Sequence, residues 1–267
     1  MLTPLQAVRR RGETGEALKS AFPSLDKRGI KFRKGSSSLI VAPPGGGKSL
    51  FAMWQAVLSG ALTMYFSADA EEVDQMIRLI CITYSVTRDE AERAVLHNEL
   101  TRYEERIKNL PLRRDYNSGP TPDDIDRRIR AFEEVYGEWP EFIVVDNLTN
   151  VQFEREESGE DPFKGLEPLL EYLDRLARST GSHVSSLSHV GGEYNDGNKP
   201  IPLSGVKGQI TRIPKMVLTG RRIEDEGQPD LMLISPVKNR FSNPDPSGRN
   251  PVYLQFDGAR MAIKELD

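Results

Sequence analysis

The stretch 42-APPGGGKS-49 decides the fold of this chain. It fits the pattern G-x-x-x-x-G-K-[ST], with Ala42 in the first place. The apolar run 37–42 before the loop predicts a strand, and the run 49–60 after it has helical spacing and closes on Gly60. A glycine-rich loop between a buried strand and a helix is typical of a phosphate-binding loop.

The chemistry of this loop predicts a site for ATP and Mg²⁺. Glycines let backbone N–H groups wrap the phosphates without side-chain interference, and the helix from Leu50 presents its N-terminus to the anion. Lys48 is expected to reach the outer phosphates, and the Ser49 hydroxyl to ligate Mg²⁺. The residues predicted to bind the nucleotide are Pro44, Gly45, Gly46, Gly47, Lys48, Ser49 and Leu50.

A phosphate-binding loop predicts an acid at the end of a neighbouring buried strand, and Asp146 fits this place. It ends the apolar run in 141-EFIVVDNL-148. By itself such an acid is typical of a turn or a helix cap. Beside the phosphate loop, the favoured role is to hold the water shell of Mg²⁺ next to Ser49.

Two further strand ends supply candidates for the hydrolytic step. The strand LTMYFSA leads into Asp69, an acid that could orient and deprotonate the attacking water. Glu71 and Glu72 are alternatives, although both are expected at the start of the next helix. The strand HVSSLSH ends in His189, which is either a sensor of the γ-phosphate or an ordinary structural histidine.

The rest of the chain alternates between helical and strand-like runs. Helices between hydrophobic strands predict parallel βαβ units covered on both faces, whereas the last strands lack intervening helices and predict an antiparallel edge. The expected fold class is therefore α/β, with a mostly parallel central sheet flanked by helices and with C-terminal antiparallel strands. Further strands are predicted at 110–117, 215–224, 230–240 and 251–258, and helices at 70–86, 87–109 (one helix or a pair), 121–137 and 163–181.

The composition excludes several classes of protein. The 267 residues carry a net charge of −4, which argues against a broad basic surface that coats nucleic acid. A single cysteine, Cys81, excludes an intrachain disulfide and lies in an apolar stretch typical of a packing residue. We expect no signal peptide and no membrane span, because no run approaches the ~18 apolar residues required. The expected location is the cytosol, that of a bacterial host if the chain is encoded by a phage.

The order of the motifs resembles that of the DnaB-type replicative helicases, whose C-terminal domain is a RecA-like P-loop ATPase. The resemblance runs from about Pro23 to Gly258. It implies an ATPase core over residues 23–267 and an N-terminal arm or linker helix over 1–22 that contacts another subunit. The segments that carry it are 22–49, YFSADAEEVDQMIRL (65–79), EFIVVDNL, SSLSHV (185–190), KPIPLSGVKGQITRIPKMVL (199–218) and SPVKNRFSNPDPSGRNPVYLQFDGARM (235–261).

This resemblance implies a homo-oligomeric ring, commonly a hexamer, with ATP at the subunit interfaces. Lys238 and Arg240 would then act in trans, on the γ-phosphate held by the next subunit, as an arginine finger does. Residues i and i+2 of a strand point to the same side, which suits a joint role. Without the resemblance, the pair would be interpreted as a solvated basic strand end.

Single-stranded DNA would pass through the centre of such a ring. The loop 191–209 supplies the candidate contacts, since glycine N–H groups and lysines suit phosphates along a strand. The candidates are Gly191, Gly192, Lys199 and Lys207. The acidic segment 154–161, EREESGED, is a poor phosphate binder, so we expect a modest and strongly salt-dependent affinity for DNA.

Two positions depart from the family pattern and keep other functions open. Asp69 stands where the family has a glutamate, and His189 where it usually has a glutamine. The alternatives are a RecA-like recombination or regulatory ATPase that binds DNA without unwinding it, a nucleotide-gated ring whose role is assembly, and a metal-dependent DNA nuclease that recruits acids such as Asp123, Asp124 and Asp126.

Overall fold

Nine strands form one sheet in the part of the chain that the structure, a computed structural model, describes. These residues are 14–153, 165–206, 209–224 and 229–266, together with Thr3, Leu5 and Gln6. The strands are β1 Ser36–Ala42, β2 Thr63–Ser67, β3 Leu112–Asp115, β4 Phe142–Asp146, β5 His183–His189, β6 Met216–Ile223, β7 Leu231–Asn239, β8 Val252–Asp257 and β9 Ala262–Glu265. Their order in the sheet is β3-β2-β4-β5-β1-β6-β7-β8-β9.

The sheet is parallel over its first six positions and antiparallel beyond them. The parallel pairs run from β3 through β2, β4, β5 and β1 to β6. β7, β8 and β9 then add as antiparallel strands. The predicted fold class is confirmed. The prediction missed β9, which is four residues long and carries two charged residues, Lys264 and Glu265, so that its sequence has little strand character.

Helices cover both faces of the sheet. α2 (Lys48–Ser59) and α3 (Glu72–Tyr84) pack on one face, and α6 (Pro122–Tyr136) and α7 (Glu167–Thr180) pack on the other. α4 (Arg88–Leu96) and α5 (Thr101–Lys108) form a pair against α3. Of the two options for 87–109, the helix pair is therefore correct. The helices are α1 Pro23–Lys27, α2 Lys48–Ser59, α3 Glu72–Tyr84, α4 Arg88–Leu96, α5 Thr101–Lys108, α6 Pro122–Tyr136 and α7 Glu167–Thr180.

Local sequence explains how these elements begin, end and pack. In β1, Ile40 faces one helix layer while its neighbours Leu39 and Val41 face the other, so a central strand must be apolar at successive positions. At the start of α6, the Thr121 hydroxyl accepts from the Asp124 N–H at 3.1 Å, and an Asp124 carboxylate oxygen accepts from the Thr121 N–H at 3.0 Å. This capping box fixes the helix start.

The N-terminal segment is described mainly from residue 14 onward. Leu18 and Phe22 are buried in the core, and Ala17 forms a β-bridge with Arg33. Residues 1, 2, 4 and 7–13 of the predicted arm lie outside the described residues. Cys81 is buried in a small apolar cluster between α3, α4 and α5, as its sequence context predicted.

Parallel strands give the sheet two distinct edges. Because β1, β2, β4 and β5 run in the same direction, the residues that follow their last positions meet at one edge, here called the carboxyl edge. The opposite side, where these strands begin, is called the amino edge. The predicted site residues divide between these two edges.

Candidate active site

The phosphate loop occupies the carboxyl edge between β1 and α2. Gly45 and Gly47 have positive φ angles of 72° and 84°, which residues with a Cβ adopt at a cost. A Cβ on Gly46 would approach the carbonyl oxygen of Pro43 at 2.9 Å, and one on Gly47 would approach the Met232 side chain at 2.2 Å. The glycines are therefore required by the path of the loop. α2 begins at Lys48, two residues before the start at Leu50 that the sequence predicted.

Lys48 is buried and meets two other predicted residues. Its Nζ lies 3.2 Å from His189 Nε2 and 4.0 Å from Asp69 Oδ2. An ammonium group can only donate, so His189 Nε2 accepts and the imidazole is neutral in this arrangement. Burial lowers the pKa of Lys48, while Asp146 and Asp69 oppose that shift. The lysine is thus held in the cleft by a histidine and a carboxylate.

His189 ends β5, and in the part of the chain that the structure describes one of its nitrogens has no partner. Burial lowers the pKa of His189, and the neighbouring Lys48 lowers it further, whereas Asp69 raises it. Its Nε2 lies 3.8 Å from Asp69 Oδ2. Its Nδ1 is buried and has no hydrogen-bond partner among the described residues. Among the described residues, the imidazole is thus positioned by Lys48, by Asp69 and by its place at the end of β5.

Asp69 lies on a short turn that side-chain hydrogen bonds from Ser67 and Gln75 stabilise. Ser67 Oγ donates to the carbonyl of Ala70 at 3.1 Å, and the buried Gln75 donates to Ser67 Oγ at 2.8 Å. Arg114 in turn donates to Gln75 Oε1 at 3.2 Å. The carboxylate of Asp69 is 43% exposed and reaches into the cleft beside Lys48. A fixed backbone with an open carboxylate suits a group that must meet water.

Asp146 is almost fully buried, at 1% exposure, and among the described residues only one of its oxygens is paired. Its Oδ2 accepts a hydrogen bond of 2.8 Å from the Tyr65 hydroxyl. Its Oδ1 is buried without a partner in the described part of the protein. A buried carboxylate oxygen with no donor is costly unless a ligand meets it. Asp146 therefore fits the role of holding hydrated Mg²⁺ beside Ser49.

The phosphate loop, Asp69 and His189 line a cleft of about 370 Å³. Lys48, Ser49, Asp69 and His189 form its polar floor together with the loop glycines. Its walls come from residues that the sequence did not single out, namely Arg78, Arg88, Arg222, Phe256, Gly258 and Met261. The guanidinium of Arg222 lies 3.9 Å from the centre of the Phe256 ring. The cleft is thus cationic along its walls, which suits a polyphosphate.

Sequence reasoning missed the wall residues and Tyr65. The strands that end near the loop supply Arg222, and α3 supplies Arg78, so neither is close in sequence to 42–49. The position of Tyr65 in the sequence nevertheless indicates that its hydroxyl has a hydrogen-bond partner. A tyrosine inside a fully buried strand needs a partner for its hydroxyl.

Lys238 and Arg240 lie at the amino edge, away from the cleft. Lys238 pairs with Val217 near the start of β6, and the Arg240 N–H donates to the Lys215 carbonyl at 2.9 Å. Both side chains donate to the carbonyl of Arg212, Lys238 at 2.8 Å and Arg240 at 3.4 Å, so they share one side of the strand. Through β6, Lys238 lies level with Leu39 of β1 and Arg240 lies level with Ser37. At ~3.3 Å per residue, they are therefore about 10 Å and about 17 Å along the strand from Ala42, where their own phosphate loop begins.

The predicted DNA contacts lie in the segment after β5. Gly191 precedes a 3₁₀ turn that begins at Gly192, and Gly192 has a φ of 68°. Lys199 Nζ lies 2.5 Å from a Glu193 carboxylate oxygen and 4.9 Å from the centre of the Tyr194 ring. Lys207, Gly208 and the acidic segment 154–161 lie outside the described residues. No helix in the described part of the chain is long and apolar enough to cross a membrane.

Two comparisons by sequence give relatives. The family model of the AAA domain matches residues 6–194. The Gene 65 protein of Mycobacterium phage L5 is 41% identical over 267 residues, which span 100% of this chain and 99% of the relative. The Gene 65 protein of Mycobacterium phage D29 is 44% identical over 233 residues, which span 86% of this chain and 99% of the relative.

Solved structures share the fold at low identity. The chain superposes on a DnaB-like replicative helicase with a TM-score of 0.80 and 17% identity, over 98% of this chain and 65% of that one. A second solved structure, that of an ATPase domain, gives a TM-score of 0.80 at 18% identity, over 98% of this chain and 96% of that one. The RadB recombinase gives 0.59 at 18% identity, over 94% of this chain and 100% of that one. The fold is therefore that of the RecA-like ATPases, including the DnaB-type helicase ATPase domain.

Proposed function

The chain belongs to the AAA domain family of P-loop ATPases, and on that premise we propose that it is a ring-forming DNA helicase or translocase driven by ATP hydrolysis. One observation carries the proposal. Lys48, Asp69 and His189 meet at one edge of the sheet, while Lys238 and Arg240 lie at the other. Lys238 and Arg240 can then act on a nucleotide only when it is bound to another copy of the chain.

The residues at the carboxyl edge divide the work of hydrolysis. Loop N–H groups and the start of α2 bind the phosphates. Lys48 leaves His189 Nε2 and donates to the outer phosphate oxygens. Asp69 accepts a proton from the attacking water. His189, which is no longer hydrogen-bonded to Lys48, then acts as the sensor of the γ-phosphate. Bound Mg²⁺, held by Ser49 and through water by Asp146, would neutralise charge on the phosphate oxygens.

The cations at the amino edge suit action on a neighbour's nucleotide. Neither Lys238 nor Arg240 forms an ion pair with a carboxylate among the described residues. Backbone carbonyls of Thr211 and Arg212 order these side chains without neutralising their charge. Two ordered positive charges can stabilise charge that develops on the transferred phosphoryl group.

Single-stranded DNA is the proposed polymer, bound by the segment that follows His189. Only one residue separates His189 from Gly191, so a change at the phosphate can reach this segment directly. Lys199 must leave Glu193 to contact a DNA phosphate. The affinity should therefore be modest and fall steeply with salt. The phage origin of the relatives supports the expected location in the cytosol of a bacterial host.

ATPase assays with and without single-stranded DNA test this function. We expect hydrolysis that DNA stimulates, and a ring in the presence of ATP by light scattering. Absence of hydrolysis under every condition would contradict the proposal. A monomer that hydrolyses ATP at full rate would contradict the ring.

A second candidate is a RecA-like ATPase that binds DNA without unwinding it. The likeness to the RadB recombinase favours it. Strand displacement on a forked substrate separates the two, since only a helicase releases the displaced strand. The nuclease has less support, because Asp124 caps α6 and Asp126 accepts a hydrogen bond of 2.7 Å from Tyr172. DNA degradation with metal and no ATP would favour it.

A further inference from the structure

The hydroxyl of Tyr65 lies between two parts of the nucleotide site. Tyr65 is fully buried in β2, next to β4 in the sheet. Its hydroxyl donates to Asp146 Oδ2 at 2.8 Å and lies 3.5 Å from the backbone oxygen of Ser49. Burial raises the pKa of Tyr65 well above its usual value, and Asp146 raises it further, so the group remains a donor.

This contact makes the two oxygens of Asp146 unequal. Oδ2 is occupied by the tyrosine, while Oδ1 is buried with no donor in the described part of the chain. The torsion that rotates a carboxylate about its last bond is broad and soft. A hydroxyl fixed in a β-strand restricts this rotation, because the ring that carries it is packed on all sides.

We propose that Tyr65 is a positioning residue for metal binding: its hydroxyl holds Asp146 Oδ2 and keeps Oδ1 available for the water shell of nucleotide-bound Mg²⁺. The inference rests on the metal role of Asp146 in the proposed function. Phenylalanine would fill the same space but would leave both oxygens of the carboxylate without a donor. The hydroxyl therefore acts through Asp146 and does not touch the nucleotide.

Tyr65→Phe tests this role by equilibrium binding. A fluorescent ADP analogue is titrated with and without Mg²⁺, and the ratio of the two Kd values measures the contribution of the metal. We expect Tyr65→Phe to reduce this ratio by about tenfold, the usual scale of one hydrogen bond to a charged group. The Kd without Mg²⁺ should stay unchanged. Raising the Mg²⁺ concentration should restore tight binding.

Tyr172→Phe is the matched control. It also removes a tyrosine hydroxyl that donates to a carboxylate, that of Asp126 at 2.7 Å, but this tyrosine is partly buried and lies on the other face of the sheet. It should leave both Kd values unchanged. An equal loss in Tyr172→Phe would show a general effect on stability and would overturn the positioning role. If Tyr65→Phe does not fold, Tyr65→Met removes the hydroxyl with a more adaptable side chain.

Asp146→Asn separates this inference from the proposed function. If Asp146→Asn leaves the Mg²⁺ effect intact, the metal role of Asp146 is wrong, and the role of Tyr65 falls with it. If Asp146→Asn removes the effect while Tyr65→Phe matches the wild type, only the inference about Tyr65 is overturned. In the double variant, Tyr65→Phe should add no further loss, because its effect passes through the carboxylate.

Discussion

The two edges of the parallel sheet carry opposite kinds of polar chemistry. At the carboxyl edge, Asp146 Oδ1 and His189 Nδ1 are buried without partners among the described residues. At the amino edge, His183 is buried and both of its nitrogens are bonded. Its Nδ1 lies 2.9 Å from the Arg33 carbonyl, and its Nε2 lies 2.9 Å from Ser38 Oγ. His183 thus sits in a satisfied hydrogen-bond network where the strands begin, and two unpaired polar atoms lie where they end, although Arg33 Nε near the start of β1 is also buried without a partner in the described part of the chain.

This contrast indicates that the carboxyl edge is a ligand-binding site, whereas the hydrogen-bonded His183 at the amino edge has a structural role. Buried polar groups in proteins are normally hydrogen-bonded, so unpaired ones at one edge indicate that a ligand completes them. Lys238 and Arg240 also lie at the amino edge, where, among the described residues, their side chains donate to carbonyl oxygens and form no ion pair with a carboxylate. Two ordered cations of this kind are what a contact with the phosphate of a neighbouring subunit would require.

The largest effect should come from Arg240→Ala. We expect normal ATP binding but a loss of about 10³-fold or more in turnover, because the cation stabilises the transition state on the neighbouring subunit. Mixing this variant with Lys48→Ala gives a sharper test. Each variant alone is inactive, but a mixed ring contains interfaces with an intact Lys48 on one side and an intact Arg240 on the other. No recovery of activity in the mixture would show that Arg240 does not act in trans.

Two substitutions of Asp69 should separate the effect of its charge on turnover from the effect of its side-chain length. Asp69→Asn removes the proton acceptor and should lower turnover by roughly 100-fold or more. Asp69→Glu should keep or raise the rate, since its carboxylate can reach further into an open cleft. Steady-state hydrolysis measures both. Glu71→Gln is the control and should have little effect. A collapse of activity in Asp69→Glu would show that the site is tuned to the shorter acid.

His183, at the amino edge, should make the free energy of unfolding depend on pH in the acid range. Burial lowers the pKa of His183 from 6.5 to about 4. Between these values the unfolded chain binds a proton that the folded chain does not, so stability falls as the pH drops from about 6.5 to about 4. The shift corresponds to about 3 kcal/mol in the free energy of unfolding. Urea unfolding at several pH values measures it.

His183→Asn should remove most of this dependence, since an amide can still donate to Arg33 but does not titrate. The same change at His97, which is exposed, serves as the control and should keep the wild-type dependence. If wild type and His183→Asn lose stability in parallel as the pH falls, the proton is not taken up at His183.

The smallest effect should be a decline of turnover at high pH. Burial, Arg240 and Lys215 lower the pKa of Lys238 to about 8. Lys238 therefore loses its charge as the pH rises through about 8. A phosphate beside it would raise its pKa, so that the charge would be lost at a higher pH. We expect a decline of a few-fold in kcat that Lys238→Arg moves to higher pH, because arginine stays charged. Identical profiles for the two proteins would argue against a role for this charge.

Much of the site could be predicted from residues near in sequence. The loop glycines, Lys48 and Ser49 form one continuous motif, and Asp146 follows from the rule that parallel strands end at the same edge. The walls of the cleft could not be predicted in this way. Arg222 and Phe256 meet only because β6 and β8 are brought together through β7. Such contacts depend on strand order, which local patterns do not specify.

The sequence by itself determined the fold class, the phosphate loop and the direction of the strands, because these depend on short-range patterns of glycine and of apolar residues. Only the tertiary structure decided which polar atoms are paired and which are left open. It tied Tyr65 to one oxygen of Asp146, joined His189 to Lys48, and placed Lys238 with Arg240 at the far edge. Pairing depends on distances of a few ångströms between strands, and those distances arise only when the whole sheet is assembled.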